Sequence, residues 1–255
     1  MYVICFYWQG DRWQEKGYKP EIGHVNHLQY HINRAGQIDP ILPSRYVNNL
    51  YYGVDRFAHR PFKFICFTNE TLDLDKNIEV RPFSFISKDG VLPRMYMFSR
   101  EAGLFGHQVL CLDIDIVIVN SLAKLMDYKG LFCSRSNFGD DRIPDGDIMS
   151  FRADEESENV FWNPLIEDVP AAEAFAKGRE RFWLWKCVQN RDWALWDDIA
   201  PDSVVSYKKH KVYRTGRIPK GASIVSCHGV PRPHEIVEKA ERGDRVSKWI
   251  TKYWA

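Results

Sequence analysis

The run Val109-Leu110-Cys111-Leu112-Asp113-Ile114-Asp115-Ile116-Val117-Ile118-Val119 is apolar except for two carboxylates one residue apart. So dense a stretch of aliphatic and β-branched side chains reads as a buried strand. Strand side chains alternate between faces, which puts Asp113 and Asp115 on one side with Ile114 turned into the core. Two like charges in an apolar setting repel each other and lose hydration, so something positive must face them. Two solutions stay open. A divalent cation carrying phosphate oxygens would serve, or one Asp caps the strand while the other meets a buried Arg. The first implies a metal-dependent site for a nucleotide or phosphate. Ligands of such sheets gather at the carboxyl ends of strands, so the strand is expected to end or bend soon after Asp115, with residues 116–119 forming a separate short strand.

The 255 residues suffice for a large α/β core. Apolar runs at 3–8, 62–68, 77–82, 130–134, 147–152 and 222–228 read as further strands. Helical spacing marks 45–60, 94–104, 170–189 and 233–243, and a helix begins in 120–126 with Ser121 as cap. Strand–helix–strand order predicts an α/β fold: a mostly parallel central sheet flanked by helices on both faces.

Net charge is +1, so no global field points to nucleic acid. Residues 203–255 nevertheless carry twelve Lys/Arg against four Asp/Glu, a balance suited to a nucleoside diphosphate or a polyanionic acceptor. Six scattered cysteines form no C-x-x-C and no zinc spacing, and they suggest a reducing compartment. The first residues lack a basic lead, and no run approaches 18 apolar residues, which predicts a cytoplasmic protein without a membrane span, peripheral membrane contact remaining open. His24, His27 and His31 share one helical face, but no carboxylate or Cys completes a metal set, so they read as a surface helix.

Several segments in order resemble the GT-A-type glycosyltransferases, in particular a bacterial and phage branch using nucleotide-sugar donors. Residues 46–51 followed by 60–68 look like that branch's first helix and second strand. Residues 109–122 look like its D-x-D block, and Ser206-Tyr207-Lys208 and His228-Gly229-Val230-Pro231-Arg232-Pro233 like its closing motifs. The resemblance implies one GT-A-type domain over residues 1–255. It also implies metal-dependent transfer of a sugar from a nucleotide diphosphate, a UDP-sugar first, to a hydroxyl acceptor. Mn²⁺ or Mg²⁺ would be held by Asp113, Asp115 and His228. Donor contacts would come from Tyr7, Trp8, Asp11, Trp13, Thr68, Arg94, Asp113, Lys208, Gly229 and Arg232, with Tyr7 or Trp13 stacking on the base. Asp145-Gly146-Asp147 stands where relatives place a loop touching the donor sugar, and Gly178-Arg179-Glu180 where they often show Gly-Asp-Gln. Asp145, Asp147 and Glu180 are therefore the expected catalytic residues, Glu180 as base, nucleophile or stabiliser. The interval from Gly10 to Tyr46 exceeds what the branch suggests, making 14–43 an acceptor-binding or dimerising insertion.

A glycan is the default acceptor, and a modified base in phage DNA the alternative. Two other readings compete. Haloacid-dehalogenase-type phosphatases also carry Asp-x-Asp after an apolar strand, but near a domain's start and with a later acidic doublet; here the doublets are Asp140-Asp141 and Asp197-Asp198. The third is a non-catalytic sugar- or nucleic-acid-binding protein with a degenerate donor site, contacting its partner through the basic C-terminal segment.

Overall fold

The computed structural model describes residues 1–8, 42–84, 92–138 and 142–254. Asp11, Trp13, His24, His27, His31, Asp140 and Asp141 lie outside these residues, as does most of 14–43.

Seven strands form the main sheet: β1 (Tyr2–Phe6), β2 (Lys63–Phe67), β3 (Ile78–Arg81), β4 (His107–Leu112), β6 (Phe132–Ser136), β7 (Pro144–Ala153) and β8 (Ala194–Leu195). Their order is β3-β2-β1-β4-β7-β6-β8. β1 pairs in parallel with β2 and β4, β2 with β3, and β6 with β8; β7 runs antiparallel to both of its neighbours. The mostly parallel α/β sheet expected from the sequence is observed. A second sheet joins β5 (Ile116–Ile118), β10 (Ile224–Ser226) and β9 (Val204–Ser206), with β5 antiparallel and β9 parallel to β10.

Alternation along the strands feeds two cores. Val3, Cys5, Leu110 and Leu112 point to one face, against Tyr46, Val47, Leu50 and Val54 of the helix Leu42–Phe57 and the apolar side of the small sheet. Tyr2, Ile4, Phe6, Val109 and Cys111 point to the other, against Met95, Phe98, Phe161 and Trp183. Both faces of the central strands are buried, which is why they read as unbroken apolar runs. All six cysteines are free thiols.

Four expectations change. The D-x-D run breaks and residues 116–118 form the separate short strand expected, but the break comes earlier than expected: β4 stops at Leu112, residues 114–115 turn, and β5 starts at Ile116. Asp113 and Asp115 therefore do not alternate with Ile114 on a pleat. The turn places Asp113 immediately after the carboxyl end of β4, where open α/β sheets bind ligands. Residues 94–104 form two 3₁₀ helices, Leu92–Phe98 and Arg100–Ala102, instead of an α-helix. The helix expected over 170–189 is two helices, Val169–Ala176 and Glu180–Val188, because Lys177 and Gly178 both adopt left-handed backbone at φ 49° and 71°. Asp145-Gly146-Asp147 lies inside β7 and is not a loop. No helix among the described residues is long and apolar enough to cross a membrane.

Candidate functional site

The carboxyl end of β4 is occupied by a buried arginine. Arg94, in the Leu92–Phe98 turn, is 2 % exposed. Its Nη1 lies 2.7 Å from an Asp113 carboxylate oxygen and 3.0 Å from Glu180 Oε1, and its Nη2 donates to the Gly146 carbonyl at 2.7 Å. Glu180 reaches this point because the break at Lys177-Gly178 starts its helix there. Gly146 makes room for it: a Cβ at position 146 would fall 1.7 Å from Glu180 Oε1. Glu180 Oε2 is buried without a hydrogen-bond partner. Burial, opposed by Arg94 and reinforced by Asp145 and Asp147, pushes the Glu180 carboxyl up to about 7. Asp113, partly exposed, is also pushed up, by burial and by Asp115, Glu180 and Asp147 against the pull of Arg94.

The Asp113 amide donates to the Asp147 carbonyl at 2.8 Å, which ties this corner to β7. There a second arginine is enclosed. A β-bulge between Ser134 and Arg135 sets Arg135 opposite Asp145. Its Nη2 lies 3.0 Å from Asp145 and 2.8 Å from Asp147, and Ser226 Oγ on β10 donates to Asp147 Oδ2 at 3.0 Å. The guanidinium also covers the Phe138 ring at 3.5 Å from its centroid. Phe138 stacks in turn on His228, with centroids 4.9 Å apart and planes at 29°. His228 Nε2 is 2.7 Å from Ser206 Oγ. Burial first and Arg135 second push the His228 ring down to about 4, so it is neutral at neutral pH.

Asp115 faces a third arginine. It is buried and ion-paired with Arg232, itself 2 % exposed. Arg232 lies between Pro231 and Pro233 at the start of the helix Pro233–Glu241, and its amide donates to Glu235 Oε2 at 2.7 Å. Lys208 reaches the same corner: its Nζ lies 2.9 Å from where a Gly229 Cβ would stand, and Gly229 has φ 69°. Burial and the neighbouring Arg232 both push the Lys208 ammonium down.

The structure thus gathers Arg94, Asp113, Asp115, Asp145, Asp147, Glu180, Lys208, His228, Gly229 and Arg232 around the junction of the two sheets. Thr68 stands apart at the end of β2, buried, its Oγ1 accepting from the Glu70 amide at 3.0 Å. Tyr7 and Trp8, expected to contact the donor, are buried in opposite cores, Tyr7 completely. Asp147 is neutralised by Arg135 and bonded by Ser226, a structural placement for a residue expected to be catalytic. The acidic doublet 197–198 is engaged elsewhere: Asp197 accepts from the Ser136 amide and hydroxyl, and Asp198 from Arg142.

The expected metal set does not fit this arrangement. Asp113, Asp115 and His228 each face a different partner, namely Arg94, Arg232 and Ser206. Among the described residues no group of three or more His, Cys, Asp or Glu side chains could hold a metal ion. The alternative left open by the D-x-D run had one Asp capping the strand and the other meeting a buried Arg; in the structure both acids meet an arginine, Asp113 facing Arg94 and Asp115 facing Arg232. Sequence reasoning missed Arg135, Phe138 and Ser226; the available signal was a lone Arg directly after the strand expected over 130–134.

No protein-family model matches the chain, and no curated protein sequence matches it. Among solved structures, the galactosyltransferase LgtC, crystallised with donor and acceptor sugar analogs, is similar over 100% of this chain and 97% of its own, with a TM-score of 0.54 and 9% identity. The glycosyltransferase GlyE of Streptococcus pneumoniae TIGR4 is similar over 82% of this chain and 60% of its own, with a TM-score of 0.56 and 12% identity. The bifunctional glycosyltransferase WbbM covers 91% of this chain with a TM-score of 0.50 and 10% identity, and this chain spans 46% of its length. The shared feature is the GT-A fold of glycosyltransferases.

Proposed function

We propose that the chain is a glycosyltransferase that moves a sugar from a nucleoside-diphosphate donor, a UDP-sugar first, to a hydroxyl acceptor. The observation that carries this reading is the convergence of Arg94, Asp113, Glu180, Lys208 and Arg232 beside the carboxyl end of β4, in a sheet shared with sugar-transferring enzymes.

In the reaction, the bond between the anomeric carbon and the diphosphate oxygen breaks, and its electron pair leaves on the diphosphate. The acceptor oxygen forms the new bond to that carbon and gives up its proton. Arg232 and Lys208 are the cations positioned to meet charge developing on the leaving group. Glu180, held near neutrality by its burial, is the group matched to taking the acceptor proton at physiological pH. Arg94 orients Glu180 and Asp113 together. A glycan is the first acceptor to test, and the basic segment 203–255 gives a polyanion such as DNA second place. The fold similarity to glycosyltransferases, with the acidic doublet 197–198 engaged away from Asp113, favours this reading over the phosphatase alternative.

The test is a screen of nucleotide-sugars for release of free nucleoside diphosphate, with thermal shift as the binding readout. The expected result is stabilisation by UDP or another nucleoside diphosphate, with turnover lost in Asp113→Asn and Glu180→Gln. Absence of both stabilisation and turnover across the donors would overturn the assignment and favour the non-catalytic binder.

A further inference from the structure

The carboxylates of the D-x-D turn already have their counter-charges inside the protein. Asp115 is buried against Arg232, and Asp113 lies 2.7 Å from Arg94. His228, the remaining ligand of the expected metal set, has Nε2 2.7 Å from Ser206 Oγ and its ring stacked on Phe138. Resting on the reading of this site as a nucleoside-diphosphate-sugar site, we propose that it works without a divalent cation. Arg232, with Lys208 beside it, supplies the positive charge that a metal on Asp113 and Asp115 would otherwise present to the diphosphate.

Three observations support the replacement. First, a divalent ion at Asp115 would have to compete for the carboxylate with Arg232, which is 2 % exposed and already paired with it. Stranding a buried guanidinium without its carboxylate would weaken metal binding about a hundredfold or more. Second, Arg232 is held for a fixed task. Prolines flank it, its amide is bonded to Glu235, and the nine-residue helix Pro233–Glu241 begins beside it, adding partial positive charge at that point. Third, Lys208 reaches the turn that carries Arg232, and the two like charges act on each other. Lys208 has no ion-pair partner among the described residues, and its ammonium lies over Gly229, which has no side chain to intervene. Two cations that act against each other are relieved by an anion placed between them, and a diphosphate has the matching charge and oxygen spacing.

Electron paramagnetic resonance of Mn²⁺ titrated into the full chain, with and without UDP, decides the cation question directly. The expected result is no saturable one-to-one Mn²⁺ site that Asp115→Asn removes. Such a site, in either condition, would overturn the proposal. Calorimetry of UDP provides the positive arm. Affinity in EDTA and in Mn²⁺ should agree within about twofold, while Arg232→Ala and Lys208→Ala each weaken binding in EDTA by about tenfold or more. Arg232→Lys, which keeps the charge, should retain most of the affinity and guards against a folding artefact. UDP binding that requires Mn²⁺ would overturn the metal-free proposal and leave the transferase reading standing. Failure of every nucleoside diphosphate to bind would overturn the transferase reading, and the Mn²⁺ signal would still decide on the cation.

Discussion

Alanine at position 146 tests the packing on which the site is built. Gly146 does not use left-handed backbone, so the substitution carries no conformational penalty there and acts through space alone. The added Cβ would lie 1.7 Å from Glu180 Oε1, 2.3 Å from Cδ and 2.9 Å from Cγ. The carboxylate must move by more than an ångström to restore ordinary contact, and it then leaves Arg94 Nη1, now 3.0 Å away. A lost charge-assisted hydrogen bond costs roughly 1.5–3 kcal/mol. Forced repacking adds about 1–3 kcal/mol. The partly neutral state of Glu180 at pH 7 offsets some of this, which leaves about 3 kcal/mol. In a chain of 255 residues that lowers Tm by about 6–12 °C. The assay is urea denaturation of a double-mutant cycle with Glu180→Ala. With the Glu180 carboxylate removed the Cβ has space, so Gly146→Ala should cost less than about 1 kcal/mol in that background, a coupling of about 2 kcal/mol. Additivity of the two substitutions within about 0.5 kcal/mol would refute the reasoning.

Two further predictions concern protons. Glu180 holds its proton more tightly folded than unfolded, so between pH 4.5 and about 7 the native state binds more protons and stability falls as pH rises. Over that window the group costs on the order of 3 kcal/mol, and Glu180→Gln should flatten the slope of unfolding free energy against pH; an unchanged slope would count against its buried placement. His228 has the opposite relation: its folded value of about 4 lies below the unfolded one, so the stability it contributes is complete above pH 6.5 and lost as pH falls towards 4. NMR titration of its ring should give a midpoint near 4, and a midpoint at 6 or above would exclude the Phe138–His228 stack beside Arg135.

Much of the scaffold was legible because burial on both faces leaves a strong imprint on strands. β1, β2 and β4 are nearly unbroken apolar runs, and the helix Leu42–Phe57 shows its core stripe at Tyr46, Val47, Leu50 and Val54. β8 and β9, of two and three residues, are too short to carry any period. The helix break after Ala176 was missed because Lys177 shares its left-handed turn with Gly178, and a Lys gives no such signal. The 3₁₀ form of Leu92–Phe98 was likewise beyond periodicity, since tertiary packing of Arg94 and its apolar neighbours sets it.

The sequence by itself determined that a sheet of buried strands would carry two acids at one strand's end, and that these acids would need positive charge. Local pattern suffices for that, because alternation and hydropathy are properties of neighbouring residues. Which charge answers them was decided only in three dimensions. Arg94 lies 19 residues before Asp113, and Arg232 lies 117 residues after Asp115. Arg135 meets Asp147 through a bulge, and Glu180 meets Gly146 through a helix break. Coulomb energy depends on distance through space and on the local dielectric, and neither quantity is written in the order of residues along the chain.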